Sequence, residues 1–160
     1  MARLDLSLSP NELDGYLGDQ RTARLATVGP GGVPHVVPLW FVWVGGALFV
    51  NTTRGNRSVR NLENDPRAAA TIDDGDAYDE LRGVTLSGEM RDAHDDPRLD
   101  EVVAAFGRKY FGGNEPHFAA WRDRFFLKLV PERISSWDFR KIPEARARRD
   151  AERARATGAP

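Results

Sequence analysis

The sequence predicts an α+β fold dominated by an antiparallel β-barrel. Three observations point to it. Short runs rich in β-branched and aromatic residues are joined by glycine turns, at Gly29-Pro-Gly-Gly-Val-Pro34 and Gly45-Gly46. Helical patterns interrupt the strands only at intervals, without the strict strand–helix alternation of a parallel sheet. One strand, His35 to Val44, is apolar almost without a break, as expected of a strand covered on both faces.

Taken in order, Ser9-Pro10-Asn-Glu12 reads as a helix start. Ser9 is the N-cap, Pro10 the first helical residue and Glu12 the partner that closes a capping box. Leu13, Tyr16 and Leu17 then share a face, and Gly18 ends the helix. Thr22 to Val28 is a first strand and His35 to Val44 a second. Pro38 marks a bulge or an edge in the latter, because it cannot donate to a ladder. A helix or a second subunit must cover its outer face. Gly45-Gly46 turns the chain into a third strand, Ala47 to Thr53. A short helix, Arg57 to Asn64, stops before Asp65-Pro66.

Ala68 to Ile72 and Val84 to Asp92 read as fourth and fifth strands, joined by an acidic loop from Asp73 to Glu80. Asp96 and Pro97 form a second N-cap and N1 pair. Behind them Leu99, Val102, Val103, Phe106 and Tyr110 make an apolar stripe, ended by Gly112-Gly113. Pro116 opens another short helix with Phe118, Trp121 and Phe125 turned inward. Phe126 to Val130 and Ile134 to Phe139 close the fold as one strand or two. From Arg140 onward seven basic and three acidic residues among alanines read as a charged tail with little to bury. The expected division is one domain over residues 1–140 and a tail over 141–160. No repeat is visible.

Composition narrows the chemistry. The chain has 160 residues, enough for one self-sufficient core. It contains no cysteine, which excludes disulfides, thiolate nucleophiles and Cys-bound zinc. Twenty-three basic and twenty-four acidic residues give a net charge of −1, with no general attraction to nucleic acid or acidic membranes. The first residues lack the h-region of a signal peptide, and the longest apolar run is too short to span a bilayer, so a cytoplasmic protein is expected. His94 and His117 have no partner at metal-ligand spacing, and the acidic loop does not follow the EF-hand pattern. There is no G-x-S-x-G, no Walker A and no G-x-G-x-x-G between a strand and a helix. No carboxylate sits in an apolar setting beside a second titratable group, so enzymatic chemistry here would belong to a bound cofactor.

Two stretches are candidate binding elements. Leu48 to Leu62 runs from a strand through a polar turn into a helix, with Arg57 and Arg60 one helical turn apart. Thr52, Thr53, Arg57, Ser58 and Arg60 can converge on an anion such as a phosphate. An ordinary surface helix with solvated arginines fits the spacing equally well. Trp40, Trp43 and Trp137 can form a flat wall for a planar ring, or can be core and interface packing. His35 is a proton donor or a structural residue.

Several blocks in order resemble the pyridoxamine 5′-phosphate oxidase-like flavin-binding split barrels. They are Ala23-Arg-Leu-Ala-Thr-Val28, Gly32-Val-Pro-His-Val-Val-Pro-Leu-Trp-Phe41, Gly46-Ala-Leu-Phe-Val-Asn-Thr-Thr53, Arg57-Ser-Val-Arg-Asn-Leu62, Asp65-Pro-Arg-Ala68 and Ile134-Ser-Ser-Trp-Asp-Phe139. The resemblance implies a six-stranded antiparallel split barrel that forms a homodimer with cofactors at the interface. It implies binding of coenzyme F420 or FMN, with haem in some members. The blocks look most like the actinobacterial deazaflavin-dependent branch. Carried over, Asn51, Thr52, Thr53, Arg57, Ser58 and Arg60 lie on the phosphate side, His35, Val36, Val37, Pro38 and Trp40 run along the ring, and Trp137 approaches from the partner subunit. The implied activity is hydride transfer from reduced F420 to a small conjugated acceptor, with no essential side-chain acid. An FMN enzyme and a non-catalytic flavin or haem carrier are the alternatives. One departure stands out: Ser58 occupies the position of a family lysine, so that either phosphate affinity is weaker or Arg54 compensates. The Arg/His substrate segment of vitamin B6 oxidases is absent from Arg140 to Pro160, so that reaction is not expected.

Overall fold

The computed structural model describes residues 4–114, 116 and 124–156. Six antiparallel strands close into a barrel in the order β1-β2-β3-β6-β5-β4. They are β1 (Thr22–Val28), β2 (Pro34–Val44), β3 (Ala47–Thr53), β4 (Arg67–Asp74), β5 (Arg82–Asp92) and β6 (Arg124–Asp138). Four helices accompany them: α1 (Pro10–Asp19), α2 (Arg57–Asn64), α3 (Leu99–Tyr110) and α4 (Ile142–Ala156). Most of the expected helix opened by Pro116, with His117, Phe118 and Trp121, lies outside the described residues, but Phe125, expected at its end, belongs to β6, where it pairs with Thr52.

The interior is filled by inward-facing residues of every strand, among them Leu25, Phe41, Leu48, Val50, Ala70, Ile72, Val84, Leu86 and Leu129. Helices stopper both ends. At one end α1 inserts Tyr16 and Leu17, and at the other α2 inserts Val59 and Leu62. Burying a side chain such as Leu17, fully enclosed here, contributes roughly 1.5–3 kcal/mol. The capping box of α1 is formed: Glu12 N donates to Ser9 Oγ and Ser9 N donates to Glu12 Oε2 at 2.7 Å. The third helix, α3, lies across the outer face of the second half of β2 and of β3. There Val102 and Phe106 cover Val42, Val44 and Phe49.

The double-sided apolarity of β2 is therefore met in two ways. Its second half is covered by α3. Its first half is not covered by the described residues: Val36 is 60% exposed and Trp40 51%. Pro38 sits in unbroken register opposite Arg24, so it marks an edge and not a bulge. Only Phe41 to Val44 pair with β3, and from Pro34 to Trp40 the strand has β1 as its one neighbour.

Two expectations need correction, and one open alternative is settled. The third helix starts at Leu99 and not at Pro97. The Asp96 carboxylate is held by Lys128 at 2.7 Å and its carbonyl accepts Leu99 N, so Asp96 closes a turn in front of the helix. The closing segment is one strand, bent where Ser87 pairs with Arg133 and Gly88 with Pro131, leaving Glu132 as the extra residue of a bulge. Much of the charged tail is helix, α4. Its alanines, arginines and glutamates have high helix propensity, and Ala145 packs on the body.

Candidate functional site

The end of β3 and the start of α2 form a polar corner. Asn56 is the N-cap of α2 but makes no side-chain cap bond; its amide instead donates to Thr52 Oγ1 at 3.3 Å. Among the described residues no side chain therefore caps the first amides of the helix, which carry the positive end of its dipole. Arg57, at the first helical position, is exposed and has no hydrogen-bond or ion-pair partner among the described residues. An uncapped helix start beside an unpaired guanidinium can accept a phosphate.

The other predicted residues of this corner are placed differently. The Arg60 guanidinium folds back onto the Gly55 carbonyl at 2.5 Å, where it fixes the turn. Thr52 and Ser58 are each about 5% exposed, so their side chains leave almost no surface for a ligand to touch. Asn51 donates to the Phe125 carbonyl at 3.4 Å. Arg54 turns away, stacking on Phe125 with its guanidinium 4.4 Å from the ring centre and 3.8 Å from Asp92. It does not take the position of a lysine at residue 58.

Beside this corner β2 and β3 part. Alternation assigns the backbone groups of the free edge. The N–H and C=O of Phe41 both meet the Tyr110 hydroxyl, at 3.0 and 2.7 Å, and the same hydroxyl reaches the Arg21 carbonyl just before β1 at 2.7 Å. Odd-numbered residues of β2 thus turn toward β1. Val36, Pro38 and Trp40 turn their backbone groups to the open edge. The missing donor of Pro38 falls where no ladder bond is lost. His35 and Val37 are half-buried on the barrel side, while Val36, Pro38 and Trp40 expose their side chains on the other face.

The three tryptophans do not form one wall. Trp40 stacks on Tyr110 at 4.5 Å between ring centres, in near-parallel planes. Trp43 donates from its indole to Asp14 on α1 at 2.7 Å. Trp137 lies over Gly83, where a Cβ would come within 2.4 Å of the indole, so only glycine lets the ring sit there. That is the α1 end of the barrel, and Trp137 lines a cavity of about 700 Å³ there with Leu6, Leu8, Leu13 and Ile134.

Two residues that sequence reasoning missed hold the corner in place. Asn61, 3% exposed, donates to Thr27 Oγ1 at 3.0 Å and ties α2 to β1. Tyr110, read only as part of an apolar stripe, is the side chain that finishes the β1–β2 ladder, and burial pushes its hydroxyl up to about 12. Polar residues at the buried positions of a helical pattern were the available signal for Asn61; nothing in the sequence marks the Tyr110 contact. No group of metal-ligating side chains occurs among the described residues, and no helix there is long and apolar enough to cross a membrane.

Comparison with known proteins identifies the frame. Residues 9–138 match the pyridoxamine 5′-phosphate oxidase family model. A conserved hypothetical protein of Mycobacterium tuberculosis superposes with a TM-score of 0.79 at 30% identity, over 89% of this chain and 92% of that one. An F420 reductase superposes at 0.59 with 27% identity, over 76% and 94%. The haem storage protein of Vibrio cholerae shares the fold at 0.65 with 22% identity, over 85% and 96%. No curated protein matches in sequence. The chain belongs to the pyridoxamine 5′-phosphate oxidase family, and its barrel is that family's split barrel.

Proposed function

We propose that this member of the pyridoxamine 5′-phosphate oxidase family is an oxidoreductase that binds coenzyme F420, with FMN as the alternative, along the open edge of β2, and that it directs hydride to a small conjugated acceptor. The observation that carries the reading is the parting of β2 from β3 beside an uncapped α2 and an unpaired Arg57. A phosphate-bearing, planar cofactor needs an anion anchor at one end and a row of backbone groups beside it, and the residues present fit both needs. The likeness to an F420 reductase supports F420 over FMN.

When bound, the cofactor ring supplies the hydride chemistry. The chain does the rest. Arg57 and the first amides of α2 hold the phosphate, with Asn51 and Thr53 flanking it. Thr52 and Ser58 support the corner from inside, and Arg60 fixes its turn from the surface. The edge groups of Val36 and Trp40 orient the ring by hydrogen bonds, and Pro38 offers a carbonyl alone. No side-chain acid is assigned, and a proton needed by the acceptor comes from solvent or a strand N–H.

The reading includes a homodimer. The uncovered outer face of β2, with Val36 and Trp40, is the surface a second copy would cover, which also dries the cleft. Trp137, at the α1 end of its own barrel, reaches a ring in that cleft only from the second copy. Direct titration with F420 and FMN, followed by absorbance and tryptophan fluorescence, tests the cofactor claim. Saturable binding of F420 is expected. Failure of both to bind at tens of micromolar would sink it, and haem uptake with a Soret band would replace it by a carrier function. Sedimentation tests the dimer, which Trp40→Glu should dissociate.

A further inference from the structure

The sequence has three lysines, and the structure treats one of them differently. Lys128 pairs with Asp96 at 2.7 Å and Lys141 with Glu12 at 2.8 Å. Lys109, near the end of α3, has no carboxylate at ion-pair distance among the described residues. Its amine donates to the Leu17 carbonyl in the last turn of α1 at 3.1 Å and sits 4.1 Å from the centre of the Phe41 ring. It lines a cavity of about 310 Å³ with Gly18, Val42, Trp43, Ala105 and Arg108. Arg21 donates to the Lys109 carbonyl at 3.0 Å, so a second guanidinium is anchored at the same place.

We propose that the Lys109 amine is a site of acylation by a small acyl phosphate, drawn into this cavity by Arg108 on its wall and by the positive charge of Arg21 anchored beside it. The amine lone pair attacks the acyl carbon, the bond from that carbon to the phosphate oxygen breaks, phosphate leaves with the electron pair, and the proton lost from nitrogen goes to solvent. The cavity is wide enough for a short acyl chain, and the two guanidinium groups suit the anionic leaving group. Burial, and then the positive charge of Arg21 against the weaker opposing pull of Asp19, holds the amine down to about 8. Tyr110 lies beside it on α3, with its ring centre 5.9 Å from the amine, and Asp14, one turn before Leu17 on α1, is occupied by Trp43. Acylation turns a cation at the C-terminal end of α1 into a neutral amide, so the modified protein loses a favourable charge where α1 enters the barrel.

The test is incubation of the intact protein with acetyl phosphate between pH 7 and 9.5, with acetylation of each lysine read by mass spectrometry. Lys109 is expected to react on the order of tenfold faster than Lys128 or Lys141 at neutral pH, its larger neutral fraction being partly offset by weaker intrinsic nucleophilicity. Its rate should level off above pH about 8. Replacing Arg21 and Arg108 together by Gln should slow acetylation by acetyl phosphate more than acetylation by uncharged phenyl acetate. The proposal is overturned if Lys109 reacts no faster than the paired lysines, if its rate climbs in parallel with theirs, or if the double variant slows both reagents equally.

Discussion

The two ends of the barrel are built alike and finished differently. Each is stoppered by a short helix that inserts apolar side chains into one core. At the α1 end the polar groups are consumed. Arg82 makes two bonds to Asp74, at 2.7 and 2.9 Å, Gln20 adds a third at 2.6 Å, and Arg82 also lies over the Tyr16 ring. Burial alone would raise the Asp74 carboxyl, but the Arg82 bonds outweigh it and hold it below the usual range. At the α2 end the N-cap is turned away and Arg57 is left unpaired. Saturated pairing around Asp74 marks the part of the α1 end that holds the fold together. The incomplete pairing of the α2 end is what a ligand would finish.

This contrast is open to attack in four ways. Leu17→Ala, at the closed end, should cost about 2–5 kcal/mol of stability, read by urea unfolding, and leave cofactor affinity of the folded protein unchanged. Arg57→Ala should do the reverse. Cofactor binding should weaken by about 1.5–3 kcal/mol while the unfolding midpoint hardly moves. A large loss of stability in that variant would mean Arg57 belongs to the scaffold after all. Asn61→Ala, which unties α2 from Thr27, should cost about 1–2 kcal/mol of stability and part of the affinity, because the corner loses its mooring.

The smallest expected effect is a slope with pH. Lys109 is lowered in the folded protein from 10.5 to about 8, so between these values the unfolded chain holds more protons. Stability must then rise as pH goes from about 8 toward 10, by no more than about 1.4 kcal/mol per pH unit from this group. Lys109→Met should flatten that rise. Above pH 10 the raised tyrosines Tyr16 and Tyr110 act in the opposite sense, because unfolding then releases their protons. An unchanged slope in the variant would show that the amine is not desolvated.

Much of this architecture was legible in the residues. The bounds of β1, β3 and α2 follow from alternation, the glycine turn and the Asp65-Pro66 stop, all local signals. The apolarity of β2 was legible too, as a strand that a helix or a second subunit must cover, and α3 covers its second half. Two kinds of feature were not. The joining of the closing segment into one bent strand is fixed by its partner β5, which no local pattern encodes. The sorting of the corner residues is likewise tertiary. Arg57 and Arg60 are equivalent by spacing, yet one faces outward unpaired and the other is spent on the Gly55 carbonyl. Ser58, which the resemblance to the family singles out, turns out to be buried where α2 packs on the barrel.

The Tyr110 hydroxyl carries a consequence for motion. It receives the Phe41 amide at the point where β1 has not yet begun, so a residue of α3 stands in for a missing rung of the sheet. Exchange of that amide with solvent deuterium is therefore gated by the undocking of α3, whereas the amides of Val37 and Leu39, which turn toward β1, are gated by separation of β1 from β2. A single backbone proton thus reports how often the outer helix lifts from a barrel that stays closed beneath it.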